Sequence, residues 1–148
     1  MPTVTLPTES AGSVAVADET QIDFFGVDLY FTDDLQVTSS SDYATVDGLD
    51  ALRQAIRSRL LTSPGEYAVH PDYGCGLRNF CKKRASQSDR DALRQLIIDQ
   101  LSQEERIQSV EEVTLTSFSS GNMTGVKVFA RIIALGRENS FAMQTFAE

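Results

Sequence analysis

The chain has 148 residues, 41% of them hydrophobic, and a formal charge of -8 from 21 acidic against 13 basic residues. That length suits one ordinary core rather than two, and no apolar run approaches the ~20 residues of a membrane span, so a soluble chain is expected. The negative balance opposes non-specific attraction to nucleic acid or anionic lipid, and a basic or mixed-charge protein partner fits better.

Residues 1–21 are rich in Thr, Ser, Ala and Val, carry no sustained period and lack the regions of a secretory signal. They read as a flexible N-terminal arm ahead of one domain over 22–148. In the stretch that follows, Phe25, Val27, Leu29 and Phe31 alternate with Gly26, Asp28 and Tyr30, the pattern of a half-buried strand. Asp33-Asp34 predicts a turn, Leu35 to Val37 a short second strand, and 39–48 a polar loop.

The first helix is signalled by Asp47 as cap and by Leu49, Leu52, Ile56 and Leu60 on one face. Arg53, Arg57 and Arg59 fall toward its C-terminal half, where positive charge suits the dipole, and Pro64-Gly65 ends it. A second helix starts near Ser86 through a capping box with Asp89, or equally in the register of Ser88 with Asp91. Leu93, Leu96, Ile97 and Leu101 form its apolar stripe.

Beyond that helix the period turns to two. Val110, Val113 and Leu115, then Val126, Val128, Ala130 and Ile132, predict two strands joined through the turn-rich 119–125. Phe141, Met143 and Thr145 alternate again after a turn at 136–140, giving a last strand or an extended tail. The order predicts an α+β domain: a mainly antiparallel sheet, two principal helices on one face, and a C-terminal β-hairpin.

The chemistry-bearing residues concentrate between 63 and 80, where prolines and glycines surround the only histidine, His70, and Cys75. Nucleophilic catalysis would have to use these two, yet nothing supplies the third group that orients such a pair. Cys75 and Cys81 lack a second cysteine pair, so neither a metal site nor a disulfide framework is indicated, and no cofactor is expected. Glu66 and Asp72 flank the same turn and could serve as the two carboxylates of a glycosidase, but there is no Trp for sugar stacking. The glycines fit a bent backbone better: either Gly74 or Gly76 is suited to positive φ, and Pro71 to Gly74 has the composition of a β-turn.

Leu60, Thr62, Gly65, Glu66, Pro71, Asp72, Tyr73, Gly74, Leu77 and Arg78 together carry a pattern. It resembles the signature of the family of tailed-phage baseplate wedge protein W and gene product 25. Downstream, Glu104, Arg106 and Ile107 match that family's Glu-Pro-Arg-Ile motif, with Glu105 in place of proline. The likeness spans roughly residues 24 to 135.

The resemblance implies a structural role in the baseplate of a contractile tail or injection machine, in six copies around the tube. Such a protein is assembled in the bacterial cytoplasm and found in the virion or injection particle. Its implied partners are wedge-core proteins, the sheath protein and inner tube or hub proteins, with neither nucleic acid nor membrane. Glu104, Arg106 and Ile107 would bind the wedge core, and the strand of Val126, Val128, Ala130 and Ile132 would bind sheath by strand addition. Gly65, Glu66, Pro71, Tyr73, Gly74 and Arg78 would form a structural turn, with Glu66 anchored by Arg78 or by backbone N–H groups. Because some members have carried a lysozyme label, the alternative implied is a peptidoglycan-cleaving enzyme using Glu66.

Overall fold

A computed structural model describes residues 25–32, 34–81, 85–121 and 123–147. The expected N-terminal arm lies outside them. The fold is α+β. Strands β1 (Val27–Leu29) and β2 (Thr45–Asp47) form a small antiparallel sheet, followed by helices α1 (Gly48–Leu61), α2 (Leu77–Cys81) and α3 (Gln87–Ser102). Strands β3 (Ile107–Ser120), β4 (Met123–Ala134) and β5 (Phe141–Ala147) then make an antiparallel sheet in the order β3-β4-β5.

One core joins the helices to one face of the larger sheet. Leu52, Ile56 and Leu60 of α1, Leu77 of α2, and Leu93, Ile97 and Leu101 of α3 are buried against Val113, Val128, Ala130 and Ile132. Each Leu, Ile and Val side chain among them gains ~1.5–3 kcal/mol from leaving water, which is why the helical and alternating periods decide the layers. Val110 and Val113 are three apart, an odd spacing for one face of a strand. A register shift between Val110 and Glu112 restores the parity, and Val113 pairs with Ala130. The hairpin between β3 and β4 closes with Ser120 opposite Met123.

Three local expectations are corrected. The alternation at 25–31 does not mark a half-buried strand: Phe25 is buried, but Val27 and Leu29 are 62% and 44% exposed, and Phe31 is 38% exposed. The partner of β1 is not Leu35 to Val37 but Thr45–Asp47, inside the stretch read as loop; Leu35 and Val37 make only isolated bridges to Phe31 and Tyr43. β2 has one β-branched pair among polar neighbours, too little to show a period. Leu96 lies outside the buried stripe of α3, whose inner positions include Gln100 instead.

Helix starts differ in an instructive way. Ser86 accepts from the Asp89 N–H while the Asp89 carboxylate accepts from the Ser86 N–H, so the capping box takes the Ser86 register. Asp47 stands at the N-cap of α1 without a side-chain cap bond. Its extended backbone belongs to β2, and that pairing with Val27 sets the helix start.

Candidate functional site

After α1 the backbone turns through 62–76 on its own hydrogen bonds. The Gly65 N–H donates to Pro71 O at 2.7 Å, Gly76 to Thr62 O at 2.8 Å and Cys75 to Arg59 O at 3.2 Å. Gly74 has φ +104, and a Cβ there would lie 2.3 Å from Thr62 O; Gly76 also has positive φ, so the turn uses both glycines of the pair. The Glu66 carboxylate accepts from the Ser63 N–H at 2.9 Å, which makes the backbone its anchor. Arg78 lines the same cleft as Glu66.

A residue the sequence reading passed over ties this turn to the rest of the protein. Gln100, 5% exposed, donates through Nε2 to Asp72 O at 2.8 Å and accepts through Oε1 from the Gly74 N–H at 3.0 Å. The signal for it was a polar side chain at helical spacing within the stripe Leu93, Ile97 and Leu101. Buried amides persist where their donors and acceptors are used, and here they are.

Arg59 connects the turn to the second motif. Its guanidinium stacks over Tyr73 at 4.4 Å from the ring centre and lies 3.6 Å from Glu104. Glu104 pairs with Arg106 Nε at 2.6 Å, and Arg106 Nη1 donates to Phe25 O at 3.1 Å. Burial pushes the Glu104 carboxyl up, but the hydrogen bond and charge of Arg106, with Arg59 beside it, outweigh that and hold it below its ordinary value. Burial raises the Tyr73 phenol despite the Arg59 charge.

Glu104, Arg106 and Ile107 therefore come together, but mostly inward. Side-chain exposure is 13% for Glu104 and 25% for Arg106, and Ile107 belongs to the core. Arg106 forms a corner with Leu135, whose N–H donates to Arg106 O at 2.9 Å. Glu105, at the position of the family proline, is exposed.

Val126, Val128, Ala130 and Ile132 sit on β4, the middle strand. Each is paired with β3 on one side and β5 on the other, and all four side chains are buried. Strand addition on those residues is thus corrected: their backbone ladders are already used within the chain. Among the described residues, the open edges of this sheet are those of β3 and β5.

Those edges differ in chemistry. β3 carries two register shifts and the acidic pair Glu111 and Glu112, both features that discourage a foreign strand. β5 has the sequence FAMQTFA, with no charge, Pro or Gly, and pairs with β4 in unbroken register.

Catalytic readings find no support in the geometry. Burial pushes the Cys75 thiol up to about 12, leaving essentially no thiolate at neutral pH, and His70 is exposed. Glu66 and Asp72 line different clefts, and Glu66 is the only carboxylate among the residues lining its own.

The description of a family fits this sequence over most of its length: residues 19–131 match the contractile injection system sheath initiator. The chain belongs to that family. In fold, this sheath initiator is similar to a chain in the cryo-EM structure of the anti-feeding prophage baseplate, 6-fold symmetrised, with TM-score 0.55 and 15% identity over 83% of this chain and 85% of that one. It is equally similar to a putative tail lysozyme from Geobacter sulfurreducens, with TM-score 0.55 and 16% identity over 76% of this chain and 94% of that one. At such identities the likeness is one of fold, so the second structure's name carries no catalysis across. No curated protein matches the sheath initiator.

Proposed function

We propose that this sheath initiator is a structural baseplate component that starts the sheath by accepting a strand of the sheath protein on the open edge of β5. The observation that carries this reading is the asymmetry of the larger sheet, whose bulged and acidic β3 edge contrasts with a regular, uncharged β5 edge. A seven-residue edge offers about six backbone hydrogen bonds, each worth ~1 kcal/mol net before ordering costs. One such contact is weak, but six copies around a tube would act together through effective concentration.

The second half of the proposal concerns the wedge core and inner tube or hub. Glu104, Arg106 and Ile107 fix the shape of the corner between α3 and β3, and the exposed Glu105 presents that corner to the wedge core. Rigidity is the contribution of the buried pairs, since a part-buried, hydrogen-bonded charge pair holds one geometry. The assembled particle, formed in the cytoplasm, carries the protein at its baseplate.

Lysines at Ala142, Gln144 and Phe146 test the first half. All three side chains are exposed, and Lys is what natural edges use to repel pairing. The triple variant keeps its melting temperature and its place in purified baseplates, while sheath extension on them, scored by negative stain, is lost. Sheaths of normal number and length on that variant contradict the reading.

A further inference from the structure

Between β5 and the β1–β2 sheet runs a cleft floored by α1. Tyr30, Phe31 and Val46 line one wall, Gln144 the other, and Gln54 and Arg57 the floor. No residue of β4 lines it, so the cleft follows the side of β5 that carries no strand among the described residues. Tyr30 and Phe31 are 41% and 38% exposed, two adjacent aromatic rings partly left in water on this wall.

The polar groups on the floor are not equivalent. Gln54 is fully engaged: it accepts from the Phe31 N–H at 3.2 Å and donates to Leu29 O at 2.8 Å, which docks β1 on α1. Arg53 is held by Asp50 at 2.6 Å and lies over the Phe141 ring. Arg57 is exposed and has no hydrogen-bond or ion-pair partner among the described residues. Arg57 also borders the neighbouring cleft of Glu66, and with Asp50 already paired to Arg53 its guanidinium is the cation in the β5 cleft left to select a ligand by charge as well as by shape.

We propose that this cleft seats the incoming strand and that Arg57 reads an aspartate or glutamate on it, so that the partner segment is extended, apolar on one face and acidic at one position. This rests on the strand-addition reading and adds to it a side-chain requirement. The β1–β2 sheet then acts as the outer wall of the groove. Tyr30 and Phe31, which follow β1 and are exposed, become buried when the strand arrives, which accounts for aromatic residues at these positions.

The test uses the full chain and the sheath subunit of the same injection system. A photo-crosslinking residue at Gln144 reports whether the partner runs along β5, and a binding titration reports the charge requirement. The expected results are a crosslink to a partner segment containing Asp or Glu, and affinity reduced about tenfold or more by Arg57→Glu. Arg57→Lys stays within about threefold of the parent, and Lys at the crosslinked partner carboxylate restores binding to Arg57→Glu. Arg57 is exposed, and Arg57→Ser gives a second, uncharged variant whose melting temperature matches the parent. If the crosslink forms but Arg57→Glu binds like the parent, the charge reading fails and strand addition stands. If a complex forms without any crosslink at Gln144, both fail. A crosslink in the protein alone to its own residues 1–24 assigns the cleft to this chain and overturns the proposal.

Discussion

Two polar-looking regions of this protein do opposite things. At the junction of Tyr73, Arg59, Gln100, Glu104 and Arg106, charges and amides turn inward and find partners within the chain. Along β5 the strand itself is uncharged, and in the cleft beside it Asp50 and Arg53 pair with each other while Arg57 has no hydrogen-bond or ion-pair partner among the described residues. The contrast teaches that motif and interface need not coincide. The residues with the strongest sequence pattern build the scaffold, and the proposed contact falls on a plain strand.

That separation makes graded predictions. The largest effect should come from Gly74→Ala, which places a Cβ against the Thr62 carbonyl at a positive φ; destabilisation of about 3–5 kcal/mol in a denaturant titration is expected. Gln100→Ala removes the bonds to the Gly74 N–H and the Asp72 carbonyl, and a long one from Arg59 at 3.5 Å, and leaves the first two groups without that partner, at about 2–3 kcal/mol. If either variant kept full stability while losing sheath initiation, the junction would be an interface and the contrast would break.

Glu104→Gln sharpens the comparison through pH. The folded carboxyl titrates below its unfolded value, so the stability it contributes is fully present above the unfolded pKa of ~4.3 and is lost as pH falls through the lower folded value. The difference between parent and variant melting temperatures should therefore be full at pH 7 and shrink at pH 3. A constant difference would mean that packing, not charge, is what Glu104 supplies.

Smaller effects belong to the exposed side. Phe146→Ser, at a position 63% exposed, should shift stability by no more than ~0.5 kcal/mol while weakening sheath binding. Glu66→Gln should change neither peptidoglycan turnover, expected at background in both proteins, nor baseplate incorporation. Turnover above background that vanishes in this variant would restore the glycosidase reading.

Much of the fold was legible because burial follows period. The stripes of α1 and α3, apart from Leu96, and the alternation of β4 named the core, and the helix start was narrowed to two registers, of which the structure takes Ser86. The β1–β2 sheet was misread because Val27 and Leu29 are exposed, and alternation cannot say whether the apolar side meets core or solvent. Strand order was also closed to the sequence. Nothing in Val126 to Ile132 states that β5 returns to cover the far side of β4, and that return moves the open edge to residues the motif does not include. Gln100 and Arg59 were hidden for a related reason: Gln100 meets Gly74 from 26 positions away and Arg59 from 41, brought close only by packing.

Hydrogen–deuterium exchange on the full chain, with and without its sheath subunit, puts the division of labour to the most direct trial. The account predicts that binding slows exchange at alternate amides of Phe141–Ala147 and leaves residues 62–76 unchanged. A formed complex in which β5 exchanges as before, with new protection confined to the turn and the Glu104–Arg106 corner, would contradict it.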